Sequence, residues 1–195
     1  MTSKPLPSAT GNTTPGSKPP CRIHPSAVIA DKAQITGTYP VEIGENVIIH
    51  PYARIRADHG KVIIGKNSMV YENATVGLSD SDPKVDHEEV SIGEGVNIET
   101  GAVVEARSVG DGTTIEVNAI IGKGAVVGKY CKIVPLETVG PGEVLDDFSV
   151  LYGAGQRIDT TTMCHPEIRE AKRVGQEKAV ELMKKLIPNS SAKWA

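Results

Sequence analysis

Residues 109–139 read VGDGTTIEVNAIIGKGAVVGKYCKIVPLETV, and every sixth position is aliphatic: Val109, Ile115, Ile121, Val127, Ile133 and Val139. A helix would space apolar residues three and four apart, and a half-buried strand would alternate without a fixed reset. A period of six marks a parallel β-helix, in which each unit is a short strand and a turn, and three units close one triangular coil of about 18 residues. The aliphatic residue of each unit points inward, and stacked coils line these side chains up in a column.

Upstream the same spacing recurs at Ile23, Ile29 and Ile35, at Ile43, Ile49 and Ile55, at Ile64, Val70 and Val76, and at Ile92, Ile98 and Val104. A small residue often stands four places on, as at Ala27, Ala33, Ala53, Ser68, Ala74, Ala102, Ser108, Ala119 and Ala125. These are expected where the interior narrows near a corner. Gly and Asn between the units supply turn conformations that other residues resist. The phase slips by two extra residues near Val41, by two or three near Lys61, and by one missing residue before Val109. The long break, LSDSDPKVDHEEVS at 78–91, carries five acidic residues and one Lys and reads as an excursion from one corner. About six to seven coils fit between Ile23 and Leu151.

Composition agrees with strands. The chain of 195 residues holds 21 Val and 18 Ile against 7 Leu, and β-branched side chains suit a pleated surface. Residues 1–22 are rich in Pro, Ser and Thr and cannot bury enough apolar area to offset their ordering entropy. The expected organisation is therefore a disordered tail over 1–22, an all-β parallel β-helix over 23–160, and a C-terminal helix and tail over 161–195. His165-Pro166 reads as a helix start. Beyond it Ile168, Ala171, Gly175, Ala179, Leu182, Met183 and Leu186 fall near one face. An isolated helix of about 20 residues is marginal in water, so this one must pack on something. Leu182, Met183 and Leu186 are the candidate anchors, on the chain's own prism and across a groove to a paired partner.

The net charge of −3 and a pI near 6.0 exclude a generally basic nucleic-acid binder. No run approaches the roughly 18 apolar residues of a membrane span. The three cysteines, Cys21, Cys131 and Cys164, are widely spaced without a CxxC pair. A reducing compartment and a cytosolic protein are expected.

Hexapeptide chains of this kind resemble acyltransferases, which need a general base, usually His. His24 and His50 each precede Pro at the same repeat position and read as turn residues. His59 lies in a phase slip, His165 at the helix start, and His87 in the acidic excursion is the strongest candidate base. Residues 55–68, IRADHGKVIIGKNS, also resemble the RxDxxxIxIG segment of γ-class carbonic anhydrases, through Arg56 and Asp58. That resemblance implies three His ligands around a metal. Here Thr100 and Glu105 stand where two of them belong, the third is absent after Ala74, and Tyr71 replaces an expected Gln. No catalytic residue, metal or cofactor is therefore expected.

A fuller resemblance covers roughly Ile23–Asn189. The run VEIGENVIIHPYARIRADHGKVIIGKNSMVYENATV (41–76) and the ending LMKKLIPN (182–189) resemble the dynactin subunit 6 family. The resemblance implies a left-handed β-helix, a handedness that composition and spacing do not give. It implies a non-catalytic subunit of the dynactin pointed-end complex that helps dynein–dynactin bind cargo on microtubules. The implied partners are a dynactin subunit 5-like β-helix and the actin-related and p62-type subunits. A hexapeptide acyltransferase or a degenerate γ-carbonic-anhydrase-like protein is the alternative.

Overall fold

The computed structural model describes residues 19–79, 88–153 and 155–194. Within them the chain winds into a parallel β-helix with three flat faces. The first face holds Cys21–Ile23, Val41–Ile43, Gly60–Ile64, Glu88–Ile92, Ser108–Val109, Val126–Val127 and Val144–Leu145. The second holds Val28–Ile29, Ile48–Ile49, Met69–Val70, Asn97–Ile98, Thr114–Ile115, Lys132–Ile133 and Ser149–Tyr152. The third holds Gln34–Gly37, Arg54–Ala57, Thr75–Gly77, Val103–Val104, Ile120–Ile121 and Thr138–Val139. That makes six complete coils and two sides of a seventh.

Register follows the repeat. Ile49 pairs with Val70, which pairs with Ile98, then Ile115 and Ile133 in turn. On the third face Val76, Val104, Ile121 and Val139 form an unbroken file. All of these side chains are fully buried. The small residues are buried as expected, with one correction. Ser108 is only partly buried, because the one-residue deletion before Val109 puts Ala106 in the interior instead.

The four phase breaks all fall at the corner leading from the third face to the first. Extra residues can leave the prism there without disturbing the other two corners. Gly37 and Gly77 end third-face strands at this corner with φ of +114° and +118°. A Cβ on Gly77 would lie 2.0 Å from the Arg56 carbonyl oxygen, so only Gly fits.

Three boundaries differ from the sequence reading. Cys21 and Arg22 already form the first strand, paired with Val41 and Glu42. Glu88–Ser91 is strand rather than excursion, since it pairs with Gly60–Ile63. After Tyr152 the chain reverses, and Gly155–Ile158 runs antiparallel along the second face. Residues 1–18 and 80–87, with the tail and His87 readings that fall on them, lie outside the described residues.

Two helices follow: α1 (Thr160–Cys164), capped by the Asp159 carboxylate, and α2 (Pro166–Leu186). The second helix returns along the outer side of the second face. There Ala179, Val180, Met183 and Ile187 pack on Val28, Ile48 and Met69. Gln176 donates to the Asn67 carbonyl at 3.0 Å and to Asn97 Oδ1 at 2.8 Å. Lys184 Nζ donates to Asn46 Oδ1. Past the helix, Asn189 Oδ1 accepts from the Ile29 N–H at 3.2 Å and Ser190 N–H donates to the Ile29 carbonyl at 2.8 Å. The chain end thus closes the first-coil edge of the second face.

The helix face that packs is not the expected one. Leu182 is 53% exposed and Leu186 is 63% exposed, while Met183 is packed. The inward stripe is 176, 180, 183 and 187. At about 100° per residue Leu182 lies about 160° round the helix from Val180. Outward residues on the second-face strands select that stripe, and periodicity within the helix cannot see them.

Candidate functional site

The residue after each inward aliphatic of the second face begins the next corner. Stacking therefore places His50 over Tyr71, because Ile49 pairs with Val70. Their rings stack with centroids 4.5 Å apart. His50 is only 4% exposed. Its Nδ1 lies 2.9 Å from Glu72 Oε1. Burial pushes Glu72 up, but the His50 hydrogen bond, with a backbone hydrogen bond behind it, outweighs this and holds the carboxyl below its usual range. An ionised Glu72 accepts a hydrogen bond from Nδ1–H of the ring. Nε2 is buried without a hydrogen-bond partner.

Burial raises the Tyr71 phenol, with Glu99 and Glu72 adding to it. Glu99, in the same column, is raised by burial and by Glu116 beneath it. Beside this column a groove of about 630 Å³ opens between the prism corner and the end of α2. Tyr52, Tyr71 and His50 line one side, and Met183, Leu186 and Ile187 the other. Lys32 Nζ donates to Tyr52 Oη at 2.8 Å, and Lys193 lies 4.0 Å from Asp31 at the rim.

A second, polar recess of about 350 Å³ lies on the third face near the loop-bearing corner. It brings together Arg54, Arg56, Asp58 and His59, with Thr36 donating to Asp58 at 3.3 Å. Glu105 accepts the Ser79 N–H at 2.9 Å, and Thr100 is exposed. Among the described residues no three His, Cys, Asp or Glu side chains gather where they could hold a metal ion. His24 pairs with Ser26, and exposed His165 pairs with Glu167.

Reading the sequence assigned His50 a turn role and missed its partners. The signal was present: a column shift of 21 residues between Ile49 and Val70 puts His50 on Tyr71 and beside Glu72. The three candidate anchors on α2 separate: Met183 packs inward, Leu186 stands exposed at the rim of the groove, and Leu182 is exposed away from it.

No family model matches the chain. Full-length comparison finds proteins named dynactin subunit 6. The one from Xenopus tropicalis is 29% identical, covering 86% of this chain and 81% of that protein. The one from Nematostella vectensis is 27% identical, covering 86% and 89% respectively, and that from Danio rerio is 25% identical. Among solved structures, a hexapeptide transferase family protein from Anaplasma phagocytophilum superposes with a TM-score of 0.65 at 20% identity, over 86% of this chain and 90% of that one. The fold is the left-handed β-helix of hexapeptide-repeat proteins. The expected resemblance to dynactin subunit 6 is borne out.

Proposed function

We propose that this chain is a non-catalytic subunit of a dynactin-type pointed-end complex. It works in the cytoplasm on the cytoskeleton and helps dynein–dynactin engage cargo. The observation that carries this reading is similarity to proteins named dynactin subunit 6 along 86% of the chain. A β-helix also leaves strand edges at its ends. Here the third face stops at Thr138–Val139 and the first at Val144–Leu145, and the antiparallel Gly155–Ile158 extends only the second. Leu136, 76% exposed, and Val144, 65% exposed, stand beside those edges. A second β-helix subunit of the dynactin subunit 5 type is the pairing partner, with actin-related and p62-type subunits adjoining the pair. The outward Leu182 and Leu186 of α2 are a second docking feature in this reading.

Co-purification of the tagged full chain from its own cells, followed by mass spectrometry, tests the proposal. Recovery of an actin-related protein, a p62-type subunit and a second hexapeptide-repeat subunit is the expected result. Their absence would sink the reading, and acetyl transfer from acetyl-CoA by the purified chain would revive the acyltransferase alternative.

A further inference from the structure

We propose that the last coil is a docking edge closed to a second copy of this chain and open to a different β-helix whose terminal coil is basic. The choice of occupant rests on the assembly reading; the exclusion of a second copy does not.

The first observation is how the edge donors are used. Inside the prism the Ile120 N–H donates to the Glu137 carbonyl at 2.8 Å, and the Gly122 N–H to the Val139 carbonyl at 2.9 Å. One coil on, Thr138 and Gly140 take the same places, and among the described residues no third-face strand lies beyond them. Side chains fill the gap. The Gly140 N–H donates to Glu143 Oε2 at 2.7 Å, and the Thr138 N–H to Glu137 Oε1 at 3.3 Å. A carboxylate on an edge donor makes a charge-assisted bond and blunts the edge against a further strand.

The second is the neighbouring edge. The Val126 N–H donates to the Glu143 carbonyl at 2.8 Å, and the Gly128 N–H to the Leu145 carbonyl at 2.9 Å. Their counterparts one coil on, Val144 and Asp146, face past the last first-face strand. Exposed Leu136 and Val144 stand beside the two edges. An open strand edge next to apolar side chains is a template for another chain.

The third is charge. Residues 134–148, VPLETVGPGEVLDDF, hold Glu137, Glu143, Asp146 and Asp147 and no Lys, Arg or His. Lys129 and Lys132 of the preceding coil reach back to Asp111 and Glu116, each at 2.9 Å. Two copies meeting at this end would double the four carboxylates, and like charges brought together suppress a pairing. Head-to-tail stacking meets the first coil, whose second-face edge is already closed by Asn189 and Ser190 on Ile29. A basic edge neutralises the carboxylates, draws Glu137 and Glu143 off the Thr138 and Gly140 N–H groups, and sets its own carbonyls in their place.

Sedimentation velocity on the full-length chain tests the exclusion, with far-UV circular dichroism to confirm folding. The wild type should be monomeric. Glu137→Ala with Glu143→Ala should self-associate at least about tenfold more tightly, from bared donors and lost like charge. Glu137→Gln with Glu143→Gln keeps an acceptor and removes the charge, so it should fall between the two. Adding Val144→Lys, at an exposed edge position, should return the alanine chain to monomer. Wild-type self-association that Val144→Lys abolishes, alanine and glutamine chains as monomeric as the wild type, or self-association that Val144→Lys leaves unchanged would each overturn the exclusion. Co-purification tests the occupant: Glu137→Lys with Glu143→Lys should lose the second hexapeptide-repeat subunit that the wild type recovers. Its retention would overturn the choice of a basic partner. A wild type that recovers no such subunit would overturn the assembly reading and the choice of partner together, and leave sedimentation to judge the exclusion.

Discussion

Ile120 and Ile121 are neighbours in sequence and opposite in environment, so they test the register of the whole β-helix. Ile121 is fully buried, in file between Val104 and Val139, whereas Ile120 is 46% exposed on the outer side of the third face. Truncating a buried Ile to Ala costs about 2–5 kcal/mol, because the cavity adds to the lost transfer energy. Ile121 has packed coils above and below it, which puts Ile121→Ala in the upper half of that range. Ile121→Asp adds a carboxyl with no partner, a further cost of at least about 2 kcal/mol even for a neutral polar group. Against a total stability of about 5–15 kcal/mol, that removes most of the margin. Ile120→Asp should cost about 0.5 kcal/mol or less, as exposed substitutions do. The assay is guanidinium unfolding followed by far-UV circular dichroism, with hydrogen exchange on the Ile121→Ala chain. Solenoid stability is carried between neighbours, so exchange should rise first at Val104 and Val139. Equal destabilisation by Ile120→Asp and Ile121→Asp would refute the assigned register.

Four other outcomes follow from the described contacts. Val180→Ala with Met183→Ala should lower the unfolding free energy by about 2–4 kcal/mol in all; Leu182→Ala with Leu186→Ala should leave the free chain within about 0.5 kcal/mol, yet reduce recovery of the partner β-helix subunit in pull-downs. Gly77→Ala should cost at least about 1–3 kcal/mol in thermal unfolding, since φ is positive and the Cβ meets the Arg56 carbonyl. Asp159→Ala should cost about 1 kcal/mol by removing the cap of α1. The Asp159 carboxyl is held below its usual range by the Thr162 hydroxyl and N–H; its contribution is therefore complete above the ordinary Asp pKa of about 3.9 and is lost as pH falls through the lower folded value, so an Asp159→Asn chain should show a flatter acid limb in unfolding titrations below about pH 4.

The period of six was enough to assign the core. Each coil returns the chain to the same place, so a residue's phase decides whether it faces in or out, and no other information is needed. That is why Ile23 through Val139 could be read as columns and why the phase breaks were visible as three insertions and one deletion; the reading of the turns as Gly and Asn holds only in part, since Tyr52, Tyr130, Leu136 and Phe148 take positive φ alongside Asn46, Asn67, Asn73 and Asn118. The stack of His50 on Tyr71 was implied by the same register, although the contact of its Nδ1 with Glu72 depends on side-chain geometry that only the folded corner sets.

What lies outside the repeat had no such rule. The reversal at Gly155–Ile158 and the short α1 carry no period, and Glu88–Ser91 looked like loop because its strand partner, Gly60–Ile63, is far away in sequence. The orientation of α2 was decided by the outer side chains Val28, Ile48 and Met69, which come from three different coils and meet only after the prism has formed. Helical spacing gives a helix an apolar stripe but cannot choose between stripes when Leu182 and Leu186 stand beside Met183. The surface already built makes that choice, so Val180, Met183 and Ile187 went inward and the two leucines stayed in solvent.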